Sequence, residues 1–380
     1  MKIVLVRAYT HCNLGDDLFL KVLVDRYPNV KFRIIVNDLD LYAKMFDQYQ
    51  NVTIIQNLTF SLLERIYFKS ISFISKKKRK EIIKKYYKKY YTNEYDQSDL
   101  YLYIGGSLFM ENIYGDNLAD ELDKLITSVF FDKPKFIIGA NFGPFYSSGY
   151  KDFYKNIFFK YQDVCFREAY SLDVFKELPN TRMCPDVVFQ LQLPSVIDKE
   201  SNSIGFSLID ISQRKQLMMF TEEYKRFIIQ TIKESLENDK KVYMFSFCKQ
   251  EGDENVIDNI LCLLPINLRE KVNIVLYKGN IDDFLLKYSK VETMFCTRFH
   301  SMIISSLLNQ NIFPIMYSDK MKNVLQDLNY EGLSSDIASL HNINSSEILK
   351  KIRGNKLKIH QQVIEKSKDA FTELEKVITL

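Results

Sequence analysis

Val291-Glu292-Thr293-Met294-Phe295-Cys296-Thr297-Arg298-Phe299-His300-Ser301-Met302-Ile303-Ile304-Ser305-Ser306-Leu307-Leu308 decides how the chain is read. Val291 to Phe295 is an apolar, strand-like run, and Met302 to Leu308 is helix-like. An arginine, a histidine and the Ser301 hydroxyl therefore meet where a strand ends and a helix begins. In an open α/β sheet that edge is where ligands bind. A helix N-terminus there favours anions, because its first N–H groups lack intrahelical partners and its dipole end is positive. Residues i and i+2 of an extended segment point the same way, so Arg298 and His300 can address one ligand. Lys320 follows the next apolar strand, Ile312 to Tyr317, and is expected on the same edge.

Working outward, strand-like and helix-like segments alternate through both halves. The first half places strands near 2–7, 32–36, 52–55, 100–104, 135–140 and 162–166. The second places them at 204–208, 242–247, 272–277, 291–295 and 312–316. Such alternation implies parallel sheets covered by helices on both faces. Gln190 to Ser203 is polar, carries a proline and lacks periodicity, so it reads as a linker. The expected division is residues 1–190, residues 204–344, and a last helical stretch, 345–380, packing back toward the first domain. Two α/β domains facing a central cleft is the economical architecture.

Composition narrows the class. The chain has 380 residues, enough for two domains, and 26% charged residues, ordinary for a globular protein. No apolar run reaches the roughly 18–20 residues that span a bilayer, and the N-terminus reads as a first strand. A cytoplasmic location is expected. Six cysteines without a CxxC pair argue against a zinc site or a disulfide framework. Lys76 to Tyr91, KKKRKEIIKKYYKKYY, holds nine Lys or Arg against one Glu, a net +8. The whole chain is +4, so the remainder carries −4, which excludes a general nucleic-acid-binding surface.

Other turns at strand ends are candidates. Asn13-Leu14-Gly15-Asp16-Asp17 follows the first strand and opens a helix. It reads either as a capped helix or as a sugar-contacting loop with Asp16 or Asp17 as acceptor or base. It lacks the G-x-G-x-x-G spacing of a dinucleotide site. Gly105-Gly106-Ser107 and Gly139-Ala140-Asn141-Phe142-Gly143-Pro144 end two more strands, where glycine permits close backbone approach to a ligand. Arg167 ends a fourth strand, and Asp186 is expected to be structural.

At these residues the sequence resembles the polysaccharide pyruvyl transferase family. The matching segments are Asn13-x-Gly15-Asp16, Gly105-Gly106, the Gly139 to Pro144 turn, Arg167-x-x-x-Ser171, Pro185-Asp186, Thr297-Arg298-Phe299-His300 and Tyr317-x-x-Lys320. They run in order across almost the whole chain. Ser107 departs from the pattern, where many members continue a third glycine. The resemblance implies a GT-B-like arrangement of two Rossmann-like domains, with phosphoenolpyruvate as co-substrate, no other cofactor and no metal. It implies a sugar acceptor that becomes a pyruvate ketal. Carried over by position, Arg167, Arg298, His300 and Lys320, with Ser301 beside them, would bind the donor. His300, Arg298, Lys320 and Asp16 would serve catalysis. Asn13, Gly15, Asp16, Asp17, Gly105, Gly106 and Asn141 are then left for the acceptor. Two alternatives stay open: a GT-B glycosyltransferase using a nucleotide sugar, and an inactive sugar- or anion-binding module.

The basic run has two readings. Ile83, Tyr86, Tyr87 and Tyr90 recur at helical spacing among lysines. That pattern fits either a solvated helix or a peripheral contact with an anionic inner membrane surface, the latter suited to a polyprenyl-phosphate-linked acceptor.

Overall fold

A computed structural model describes residues 2–112, 117–193 and 199–379. The chain divides into two compact units. The first comprises Met1–Thr10, Leu23–Pro185 and Lys368–Leu380, and the second His11–Val22 and Asp186–Ser367.

The first unit holds seven parallel strands: β1 (Ile3–Arg7), β2 (Lys31–Val36), β3 (Val52–Gln56), β4 (Leu100–Ile104), β5 (Lys135–Ala140), β6 (Asp163–Phe166) and β7 (Thr181–Met183). Their order is β3-β2-β1-β4-β5-β6-β7, so the winding reverses between β1 and β4. Central strands β4, β5 and β6 are buried at every residue. That is why they read as continuous apolar runs, since helices cover both faces of a parallel sheet. An aromatic core packs below β5. Phe142 lies 4.7 Å from Phe175, 5.4 Å from Tyr150 and 5.7 Å from Tyr154, ring centre to ring centre.

The second unit repeats the plan with β8 (Glu200–Ser207), β9 (Lys241–Ser246), β10 (Val272–Leu276), β11 (Val291–Cys296), β12 (Asn311–Met316) and β13 (Ser335–Asp336). The order is β10-β9-β8-β11-β12-β13, all parallel, with reversal between β8 and β11. Phe206, Phe295 and Phe313 stack across β8, β11 and β12.

Three segments differ from the sequence expectation. The strand expected from 204 begins at Glu200, where Glu200 N–H donates to Lys290 O (2.8 Å) and Ser203 Oγ accepts from Glu292 N–H (2.9 Å). Its polar start, Glu-Ser-Asn-Ser, has no apolar alternation to betray it. Of the expected linker, 194–198 lies outside the described residues. The expected 345–380 stretch is three helices, Ser345–Lys351, Gln361–Lys368 and Thr372–Ile378. Gly354, at φ +85°, breaks the run after the first. The first of these helices falls in the second unit, and Lys368–Leu380 in the first.

Phe142 is 1% exposed within its aromatic cluster. Phe142→Ala should therefore destabilise the first unit by about 3–5 kcal/mol. Urea unfolding followed by circular dichroism reads this as a lowered first transition, and an unchanged midpoint would contradict the packing described.

Candidate active site

The reversal point of the second sheet lies between β8 and β11, and the chemistry gathers at its C-terminal edge. Ser207 ends β8, and its hydroxyl accepts from the N–H groups of Thr297 (3.1 Å) and Arg298 (3.3 Å) after β11. Arg298 then caps the helix Phe299–Leu307 in extended geometry, without a side-chain capping bond. Its side chain turns inward. Nε donates to Asp253 Oδ2 (3.1 Å), Nη2 to Asp253 Oδ1 and Nη1 to Glu251 Oε2. Asp253 is fully buried and also accepts from the N–H groups of Phe247 (2.9 Å) and Cys248 (3.0 Å), just after β9. A charge without access to water is tolerable only with such partners.

The N-terminal turn docks on the same loop. Leu14 N–H donates to Phe247 O (3.0 Å), Asn13 bridges Cys248, and Asn13 Nδ2 donates to Glu251 Oε1 (2.9 Å). Asn13 Oδ1 accepts from Gly15 N–H (3.1 Å), closing the turn. Gly15 is required by close approach. A Cβ built there would lie 1.9 Å from His300 Nδ1. The His300 ring is held edge-on by Phe19 (5.7 Å) and Phe299 (5.1 Å). Its Nε2 lies 3.9 Å from Asp186 Oδ2. Asp186 Oδ1 accepts from Val188 N–H (2.9 Å), which fixes the carboxylate at the start of the turn Val187–Gln190. Asp186 thus has the expected structural role and a second one, facing the imidazole.

Beside this stands a cationic group. Lys320 Nζ is 5.7 Å from the Tyr317 ring centre and 5.9 Å from that of Phe299. Arg214 lies over Tyr317 (5.0 Å), with Nη2 3.6 Å from Glu251 Oε2. Arg298, Arg214 and Lys320 stand here against Glu251 and Asp253, and the Asp210 carboxylate lies against the Gly252 turn, its Oδ2 2.8 Å from where a Cβ on that glycine would be. Burial and neighbouring charge compete at each group. Burial raises the Glu251 carboxyl, but Arg298, Arg214 and Lys320 outweigh it and hold the group below its ordinary value. For Asp253 burial is complete and wins over Arg298, so its carboxyl is raised. Burial also works to raise the Tyr317 phenol, yet Lys320, Arg214 and Arg298 pull it below its ordinary value. A phenol brought down by three cations marks a field suited to an anion.

The first unit carries a separate cluster at the ends of β4, β5 and β6. Arg167 is 4% exposed, and its Nη2 donates to Asn141 Oδ1 (2.7 Å). A Cβ on Gly106 would lie 2.4 Å from Arg167 Nη1, so that glycine makes room for the guanidinium. Ser107 Oγ donates to Asn141 Oδ1 (3.3 Å), and Asn141 N–H to Gly106 O (2.8 Å). Gly105 sits at φ +145°. Ser171 Oγ donates to Glu168 and accepts from Phe142 N–H, each at 2.8 Å. The Arg167-x-x-x-Ser171 spacing therefore serves loop construction.

Several sequence-derived roles change with these positions. Ser301 is fully buried, with its hydroxyl 2.7 Å from Tyr288 Oη, so it anchors the helix from within. Asp17 is also fully buried and accepts from Tyr277 Oη (2.8 Å), which makes it structural. Asp16, beside it, is half-buried. Asn13 and Gly15 lie in the second unit, with His300, although they precede most of the first unit in the chain. Arg298 is held by two carboxylates and positions the loop. Asp253, Glu251 and Arg214 had no part in the sequence reading. Glu251-Gly252-Asp253 directly after β9 was the available signal, an acidic turn on the ligand edge of a sheet.

Two doubly wound parallel units, each with polar groups at its winding reversal, define a GT-B-like α/β protein. Solved structures share that fold. UDP-GlcNAc 2-epimerase from Neisseria meningitidis bound to UDP-GlcNAc matches with TM-score 0.62 and 12% identity, over 99% of this chain and 100% of that one. Anabaena HepE in complex with UDP and glucose matches with TM-score 0.56 and 10% identity, over the full length of both. The polysaccharide pyruvyl transferase family model matches residues 13–319, and the chain belongs to that family. The amylovoran biosynthesis protein AmsJ of Erwinia amylovora is 23% identical over 403 aligned residues, covering 96% of this chain and 94% of the relative.

Two measurements test the site geometry. Gly15→Ala must displace the His300 ring, so turnover should fall by about 10²-fold or more if His300 transfers protons, with an unchanged circular dichroism spectrum. Full activity would show that the ring position is immaterial. In an ultraviolet tyrosinate titration, one phenol should ionise early, disappear in Tyr317→Phe and shift upward in Lys320→Met. No early phenol would remove the cationic field.

Proposed function

We propose that the protein transfers pyruvate from phosphoenolpyruvate to two hydroxyls of a polysaccharide-precursor sugar, forming a ketal and releasing phosphate. Family membership and the exopolysaccharide-biosynthesis relative support this reading. The observation that carries it is His300, fixed by Gly15, Phe19 and Phe299 and faced by Asp186, with Lys320 and Arg214 nearby. Phosphoenolpyruvate has a carboxylate and a phosphate, so its binding requires cations and its reaction requires proton transfer.

In this mechanism the methylene carbon of the donor gains a proton, which makes the adjacent carbon oxocarbenium-like. One sugar hydroxyl adds there, the carbon–oxygen bond to phosphate breaks, and a second hydroxyl closes the ketal. The two hydroxyls lose two protons. One remains in the new methyl group and the other leaves on hydrogen phosphate, so protons and charge balance. His300 is the proton carrier, and the Asp186 carboxylate, 3.9 Å away, favours its protonated form. Lys320 and Arg214 attract the donor's anionic groups and stabilise departing phosphate. The uncapped N-terminus of helix Phe299–Leu307 adds a further anion-favouring end. Arg298 holds these parts in register. In the first unit, Arg167 with Asn141 and the Gly105-Gly106 turn is assigned to substrate binding; in the second, Asp16 is assigned to orienting an acceptor hydroxyl.

Phosphate release from phosphoenolpyruvate in the presence of an acceptor tests the reading. His300→Ala should lower kcat by about 10²–10⁴-fold, whereas Lys320→Ala should chiefly raise the KM for phosphoenolpyruvate. Release of a nucleotide from a nucleotide sugar, with phosphoenolpyruvate inert, would overturn it.

A further inference from the structure

The structure moves attention from the basic helix to the one before it. Helix Lys76–Asp96 carries the lysine run, but most of its apolar residues are buried or partly covered. Ile83 is buried, Tyr86 and Tyr87 pack on Phe60, and Tyr90 Oη donates to Gln56 O (3.0 Å). Tyr86 is 39% exposed beside the lysines, so this helix offers lipid little aromatic surface of its own. Helix Leu62–Ile74 behaves in the opposite way. Leu62, Leu63, Ile66, Tyr67, Phe73 and Ile74 are 51–85% exposed. Ile66 and Phe73 follow Leu62 by four and eleven residues, and Tyr67 and Ile74 follow Leu63 by the same intervals, which puts all six on one face. Phe68 and Ile71 are buried on the other side.

Ser75 joins the two helices. Its backbone N–H ends the first on Ile71 O (2.8 Å), and its hydroxyl caps the second by accepting from Lys78 N–H (3.2 Å). The apolar stripe thus terminates at Phe73 and Ile74, directly before the exposed Lys76, Lys77 and Lys78. Glu64 lies at the far end and is turned onto Ser61 in a capping box. Apolar stripes of this size on soluble surfaces mark interaction sites. The adjoining lysines select among partners. Protein interfaces are depleted in lysine, whereas apolar residues flanked by lysines suit an anionic lipid surface.

We infer that Leu62–Ile74 inserts its exposed stripe at an anionic membrane surface, with Lys76–Lys78 resting on the headgroups. Among the described residues no helix is long and apolar enough to cross a membrane, so the contact is interfacial. A lipid-linked sugar acceptor would be presented at such a surface. The inference does not depend on the transfer chemistry, because it is read without donor or acceptor.

Co-sedimentation with phosphatidylcholine/phosphatidylglycerol vesicles, compared with pure phosphatidylcholine, is the test. The protein should sediment with the mixed vesicles. Phe73→Glu/Ile74→Glu should weaken this at least tenfold with an unaltered thermal midpoint, since both residues are exposed. Lys76→Glu/Lys77→Glu/Lys78→Glu should abolish the preference for anionic lipid. Failure to sediment, or sedimentation unaffected by the double variant, would overturn the inference. So would concentration-dependent self-association of the parent, lost in the double variant, without vesicle binding, because the stripe would then join two copies of the chain.

Discussion

The buried contact between Arg298 and Asp253 is the constraint on which the second unit's edge is built. Neither charge can be left alone in the interior. Asp253 also takes the N–H groups of Phe247 and Cys248, and Arg298 also takes Glu251. One ion pair therefore ties the end of β9 to the end of β11, across β8 between them. The Asn13 turn docks on that loop, Gly15 faces the imidazole, and the His300 helix starts from Arg298 itself. Removing either partner would disturb the His300 ring and the docked N-terminal turn together.

The charge arrangement follows from the same constraint. Two carboxylates hold Arg298 in place and cancel most of its field. The cations not bound into this pair are Lys320 and Arg214, beside Tyr317. Tyr317 records this balance, since its partial burial alone would raise the phenol. A residue that looks like the ligand's grip in sequence becomes the scaffold of that grip in three dimensions.

Much of this was legible in the sequence. The alternation of apolar strands and helices is strong enough to give two parallel α/β units, and a strand-to-helix junction places Arg298 and His300 on the ligand edge. What sequence could not supply was direction. Ser301 and Asp17 lie at ligand-edge turns, yet they point into the interior toward Tyr288 and Tyr277. Arg214 lies in a loop without periodicity, and Glu251 and Asp253 acquire meaning only when folding brings them to Arg298. Glu200 to Ser203 looks like linker because its side chains are polar, although its backbone pairs in the sheet. The basic run drew attention to its own aromatic residues, whereas the exposed stripe belongs to the preceding helix, whose pattern alone reads as ordinary core-facing amphipathicity.

The most direct test of the central claim follows the carbon that is protonated. Phosphoenolpyruvate labelled with ¹³C at its methylene carbon is turned over with acceptor in D₂O, and the sugar product is examined by NMR. The account predicts a ketal methyl group carrying one deuterium, on a carbon joined to two sugar oxygens. A product that keeps the methylene as an enol ether, or an acceptor modified without incorporation of label, would contradict it.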